Sequence, residues 1–257
     1  MSTIRCFNEN VSLKELSKTH SDVKEMYIVD CNMIGVIDLT PFKNLETLEI
    51  VFNEVTKIKG LHLLKHLKVL NLNNNRISQV DWITKLENLQ VLSLNNNHIK
   101  EINQFDSLPN LSSLSICNNQ LKSSDFLQSI PSVEEINLWG NQLTTLDPLS
   151  GLKKLTLADL SFNQISQIDC LDRIEKLKEL RLIKNQVHTI KHLPYVKYLK
   201  HIDLSDNYSS LLHLEGSFER KKETIKLKGL STVNIRISGN PFIEVKSLGE
   251  DFHTRTA

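Results

Sequence analysis

The chain has 257 residues, with 31 Lys+Arg against 30 Asp+Glu and a formal net charge of +1. Near-neutrality gives no electrostatic reason to expect nucleic acid or an anionic membrane as partner, and no apolar run approaches the ~18 residues of a membrane span. No signal-peptide-like stretch opens the sequence, and Cys6, Cys31, Cys117 and Cys170 have no disulfide-framework or CxxC spacing; the expectation is a cytoplasmic protein, although leaderless export would leave no such mark.

The first predicted elements are a degenerate strand through Ile4 and Cys6 and a short helix at "VSLKEL" (11–16). Ser12 is its N-cap, Glu15 completes a capping box, and Val11 and Leu16 stand at staple positions. Residues 1–22 are read as an N-terminal cap.

From Val23 a phrase recurs. "LKVLNLNNNRI" (67–77) returns as "LQVLSLNNNHI" (89–99), and equivalent starts fall at one constant interval: Val23, Leu45, Leu67, Leu89, Leu111, Val133, Leu155, Leu177 and Leu199. Positions 1, 4, 6, 11, 14, 17 and 20 of each repeat should point inward. Over the eight repeats from Val23 to Tyr198 only Ser124 breaks that apolar pattern, in a chain that is 40% hydrophobic.

Positions 3 to 7 alternate, as in "VLNLN", which predicts a short strand. A single coil cannot bury its own leucines, so coils stack and their strands form a parallel sheet of ten strands. Position 9 is Asn53, Asn75, Asn97, Asn119, Asn141, Asn163, Asn185, Asn207 and Asn240, with Cys31 in the first repeat. Its amide is read as a structural ladder satisfying backbone groups of adjacent coils. The second half of each repeat, such as "SQVDWITKLEN", spaces apolar residues three apart, which suits short 3-10 turns.

The pattern L-x-x-L-x-L-x-x-N-x-L over residues 23 to about 242 resembles the leucine-rich repeat family. The closest subclass is the 22-residue type of bacterial internalins and of the leucine-rich regulatory subunit of type-1 protein phosphatase. "TTLDPLSGLKKL" (144–155) looks especially internalin-like. The resemblance implies an α/β fold: a curved solenoid with a concave parallel β-sheet and convex 3-10 or short helical segments, with nine repeats over 23–209.

After the ninth repeat the rhythm fails. Ser209 and Glu215 fall at inward positions, and the next strand, "TVNIRISGNPF", starts at Thr232, half a repeat late. Residues 210–231 are read as an irregular insertion, either a surface excursion or hairpin easing the solenoid into its cap or a binding loop beside the sheet. Residues 232–257 form a final repeat, with an N-P-F ending that resembles those of other leucine-rich repeat domains, and a tail.

No catalytic motif is present. The pairs His62/His66 and His188/His192 have metal-compatible spacing but lie in convex segments and are read as surface histidines. Cys117 falls at an outward strand position beside Ser93 and Asn137, neither of which can act as its base. The expectation is a non-enzymatic protein without metal or cofactor.

Function then rests on the outward strand positions 3, 5, 7 and 8. Repeats three to five carry small polar residues there. Repeats six to nine carry Glu135, Trp139, Leu157, Asp159, Phe162, Glu179, Arg181, Ile183, Lys184, His201 and Asp203, a mixed aromatic, aliphatic and charged surface. Trp139, Phe162, Arg181 and Ile183 are predicted to centre a partner site, because binding energy concentrates in such side chains. Tyr27, Val51 and Phe52 form a smaller group. Against this, Phe52 and Phe162 could pack structurally along the sheet edge, and Asp159 and Arg181 could be a cross-strand pair. The expected function is a monomeric protein-interaction module clasping a protein partner, not nucleic acid or membrane, on its concave face. The alternatives are the recognition part of a ubiquitin-ligase-like bacterial effector or a phosphatase regulator.

Overall fold

The computed structural model describes residues 3–105, 108–191, 197–207, 211–215, 217–221, 223–228, 233–240 and 244–248. Ser209, His192, Thr232 and the N-P-F residues Pro241 and Phe242 lie outside them.

The alternating segments form a parallel sheet, as the 22-residue period requires. Its strands are Thr3–Phe7, Glu25–Val29, Thr47–Val51, Val69–Asn71, Val91–Ser93, Ser113–Ser115, Glu135–Asn137, Leu157–Asp159, Glu179–Arg181, His201–Asp203 and Val233–Arg236. The leading strand makes this one more than the ten expected, since Thr3 is registered with Glu25. Every pair of Cα partners keeps the offset of one repeat as far as Glu179 and His201. His201 then pairs with Asn234, an offset of one and a half repeats.

Coils are numbered from Val23 (one) to Leu199 (nine). Within each coil the inward residues disappear from solvent; Leu67, Leu70, Leu72, Ile77 and Leu86 of coil three are all fully buried. Each such burial is worth roughly 1.5–3 kcal/mol, but only because the next coil supplies the covering surface. Among the described residues two expected inward side chains do not comply: Ile102 is only half-buried, and Val36 departs further. Val36 is exposed, because a register shift at Gly35/Val36 in the convex strand Ile34–Asp38 turns Ile37 inward instead. Ser124 is buried despite its hydroxyl, and the buried ring of Phe126, two residues on, meets Phe105 edge-on at 5.6 Å.

The position-9 asparagines form the expected ladder. Asn97 Oδ1 accepts from Ile77 N–H at 2.9 Å, and its Nδ2 donates to Leu72 O, Leu94 O and Asn95 O at 3.0–3.2 Å. The equivalent bond to the preceding coil spans 25 residues in every coil from Asn53 to Asn207. From Asn240 it spans 36, to Leu204 O.

The convex side carries the 3-10 turns Leu61–Leu63, Asp125–Ser129, Asp147–Gly151 and Leu171–Arg173. It also carries parallel strands that the spacing of apolar residues does not announce. Ile34–Asp38 pairs with Glu54–Lys59, and Gln167–Ile168, Thr189–Ile190, Leu211–Glu215 and Glu244–Leu248 form a second sheet.

At the N-terminal end a helix spans Leu13–His20, with Ser12 Oγ accepting from Glu15 N–H. The capping box is only half made, because the Glu15 carboxylate turns to Lys18 Nζ at 2.7 Å. At the C-terminal end, Leu211–Glu215 pairs with Thr189–Ile190 of the preceding coil, Thr189 meeting His213, so the convex register has already slipped past the one-repeat offset of Gln167 and Thr189. The surplus residues then form the hairpin Ser217–Lys221/Thr224–Lys228, which joins the concave sheet antiparallel to Val233–Arg236. It extends the sheet rather than projecting beside it.

Candidate functional site

Position 8 sets the shape of the concave rim. Its backbone is left-handed in every described coil: Asn8, Asp30, Phe52, Asn74, Asn96, Asn118, Phe162, Lys184 and Asp206 have φ of 50–58°, and Gly140 and Gly239 have 69° and 72°. Asn, Asp and Gly tolerate this region, whereas a bulky side chain there is a genuine outlier. Phe52 and Phe162 are therefore strained by roughly 1–2 kcal/mol each.

Phe162 is 37% exposed. Its ring lies 4.7 Å from the half-buried indole of Trp139, tilted by 49°. Lys184 Nζ stands 4.7 Å from the Phe162 ring centroid. Trp139, Phe162 and Lys184 thus run across coils six, seven and eight as an aromatic pair with a cation on it. Ile183 is half-buried beside them, its N–H donating to Ser161 Oγ at 3.2 Å.

The charged residues belong to a different row. Position 5 of coils seven to nine and of the last strand reads Asp159, Arg181, Asp203, Arg236, with alternating sign on adjacent strands. Arg181 Nε donates to Glu179 Oε1 at 2.7 Å, and its Nη1 lies 3.8 Å from Asp159 Oδ2. Glu179 first, then the neighbouring charges of Asp159 and Asp203, raise the Arg181 pKa above its ordinary value. Asp203 is predicted to face a partner but is buried. Ser205 N–H and Oγ donate to its Oδ1, and Arg236 Nη1 of the last strand lies 3.9 Å from Oδ2. Glu135 is exposed.

The structure therefore stacks Phe162 against Trp139 and places Ile183 on the next coil, its carbonyl accepting from Phe162 N–H at 2.7 Å. It engages Arg181, Asp159, Glu179 and Asp203 with one another. Lys184, already on the expected surface though not among its predicted anchors, and Arg236, missing from the predicted set, complete the two rows. Lys184 sits at position 8, where its place over a phenyl ring shows only in three dimensions. Arg236 is hidden by the break in the repeat, and aligning "TVNIRIS" with the earlier strands would have found it.

Coils three to five contrast with this. Asn73 Oδ1 accepts from Ser93 Oγ and Asn95 N–H, and Asn95 Oδ1 accepts from Ser115 Oγ and Cys117 N–H, at 2.6–2.8 Å. Cys117 is half-buried, and burial raises its thiol pKa. Such a thiol is protonated at neutral pH and a poor nucleophile. Among the described residues, no group of three or more His, Cys, Asp or Glu is placed to hold a metal ion, and no helix is long and apolar enough to cross a membrane.

Family models for "Leucine rich repeat" and "Leucine Rich repeats (2 copies)" match residues 65–121 and 43–85. No curated protein matches the chain. Among solved structures it is similar to internalin inlF of Listeria monocytogenes, at 19% identity over 97% of this chain and 87% of that one, TM-score 0.50. It is similar to internalin C2 of the same organism, at 21% identity over 80% and 82%, TM-score 0.60. A third match is TLR13 in its complex with ssRNA13, at 19% identity over 96% of this chain and 36% of that one, TM-score 0.70. Residues 43–121 thus match leucine-rich repeat models, and the described residues have the solenoid fold of that class. Such solenoids are in general non-catalytic interaction modules with extended concave binding surfaces.

Proposed function

We propose that the protein binds a protein partner on the concave face of coils six to eight, without catalysis, through Trp139, Phe162 and Ile183. The observation that carries this reading is the Trp139–Phe162 stack. A partly exposed aromatic pair is held on a rigid sheet, and one member is kept in a backbone conformation that disfavours it. Strain of this kind persists where the surrounding structure maintains it, and it clusters at ligand contacts. The ion row beside the stack orients the surface and excludes mismatched charges, a contribution to specificity more than to affinity.

The test is capture of partners by the wild type and by a Trp139→Ala/Phe162→Asn double variant, with affinities measured for each protein recovered. Asn suits the left-handed position, as at Asn96 and Asn118, so the variant is expected to unfold at nearly the wild-type temperature. Loss of two anchor residues is expected to weaken a specific partner by roughly 30-fold or more. An unchanged set of partners at unchanged affinity would falsify the assignment.

A further inference from the structure

Among the described residues six large hydrophobic side chains are exposed, and four of them, Phe7, Ile34, Val36 and Phe52, lie in the leading strand and the first two coils. Two of these, Phe7 and Phe52, belong to one rim of the concave sheet. Phe7, Val29 and Val51 are direct partners on adjacent strands at position 7, and Phe52 follows Val51 in the chain. Ile34, 70% exposed, and Phe52, 59% exposed, line one open recess of about 420 Å³ together with Asp30, Asn32 and Glu54.

Two features separate this edge from incidental surface apolarity. Phe52 takes the left-handed conformation at φ 56°, where Asn74, Asn96 and Asn118 stand in the next three coils. Its ring, unlike that of Phe162, has no aromatic or cationic partner among the described residues. The second feature is charge. Asp30 lines the recess, Glu49 and Glu25 stand two and four residues before the position-7 row on their strands, and none of the three forms an ion pair among the described residues. Glu25 accepts from Thr3 Oγ1 and Glu49 from Asn71 Nδ2. The one nearby guanidinium, Arg5, lies 5.1 Å from the Tyr27 ring centroid. In coils seven to nine, by contrast, each position-5 carboxylate faces an arginine.

We propose that this edge is a second docking surface, which takes a peptide segment whose aromatic or branched aliphatic side chain is flanked by lysine or arginine. The apolar side chain enters the recess between Ile34 and Phe52, and the cations meet Glu25, Asp30 and Glu49. A basic flank supplies the charges these carboxylates lack, whereas an acidic one would be repelled. The surface is independent of the Trp139 centre, from which coil two is separated by four strand spacings, roughly 19 Å.

The test is selection of a random peptide library on the wild-type protein, with Phe52→Asn as the counter-target. That variant restores the residue type of the neighbouring coils at this position and leaves Trp139 and Phe162 intact, so failure here is distinguishable from failure of the concave-face reading. The expected pool carries Lys or Arg beside Phe, Trp, Leu or Ile. Its peptides should bind Phe52→Asn and the Glu25→Gln/Glu49→Gln variant roughly tenfold or more weakly, and lose affinity as added salt shortens the screening length. A pool that binds wild type and Phe52→Asn alike, a pool without basic residues, or no enrichment at all overturns the proposal. So does a wild-type dimer in sedimentation that Phe52→Asn dissociates, since the occupant would then be a second copy.

Discussion

Coils three to five and coils six to eight share the same buried leucines, the same asparagine ladder and the same strand register, yet present opposite surfaces. In the first group the outward asparagines and serines bond to one another, as Asn73, Ser93, Asn95 and Ser115 do. In the second, Trp139, Phe162 and Ile183 remain partly in solvent. A solenoid separates what holds a coil in place from what the coil displays, so its surface can change from one repeat to the next without cost to the core.

This separation is most directly challenged by comparing two neighbouring asparagines of one coil. Asn97→Ala takes the acceptor from the buried Ile77 N–H and one of two side-chain donors from the Leu72 carbonyl, which keeps Asn75 Nδ2, and should cost roughly 2–4 kcal/mol in denaturant unfolding. Asn95→Ala removes contacts that water can replace and should cost about 1 kcal/mol. Equal losses would show that the concave network is as structural as the ladder.

A smaller effect is expected at the boundary between the two groups. Gly140 has φ 69°, and a Cβ there would lie 2.5 Å from Asn118 Oδ1, whose amide donates to Asn96. Gly140→Ala should destabilise by about 1–2 kcal/mol in the same assay, from the left-handed backbone and the displaced amide. An unchanged midpoint would mean that this rim of the sheet yields readily.

The smallest effect concerns charges that link coils from outside. Glu46 bridges Lys24 and Lys68 at 2.9 and 2.8 Å, and hydrogen bonds from Lys68 and Lys24 lower its carboxyl pKa from 4.5 to about 2. A depressed folded-state pKa contributes stability above about 4.5, and this is lost as pH falls toward 2. The group is solvated, so the gap between wild type and Glu46→Gln should be slight at neutral pH, shrink with salt and close in acid. A gap that widens in acid would contradict the bridge.

Periodicity made the core and the ladder legible, because one residue type at one spacing has the same neighbours in every coil. It failed at Val36, where a single register shift reverses which of two adjacent apolar residues faces inward. The convex strands were not legible, since they form in only some coils and the spacing of apolar residues three apart there reads as turns. The hairpin at 217–228 was visible as alternation, but its place beyond Val233–Arg236 depends on the displaced pairing of His201 with Asn234. On the candidate surface, residue types pointed to Trp139, Phe162 and Ile183. They could not show that Asp203 is covered by Arg236 and Ser205, because the arginine contact crosses the break in rhythm. Strain at Phe52 and Phe162 is a matter of backbone angle and appears only with coordinates.

The constant offset between strands makes the chain a graduated scale. Each coil inserted or excised between Thr47–Val51 and Glu135–Asn137 would move the Phe52 edge and the Trp139 centre apart or together by one increment of roughly 4.8 Å, plus the matching turn of the arc. A tethered ligand that reaches both would then bind best at one coil number, and its affinity across a series of such length variants would measure the curvature of the sheet in solution.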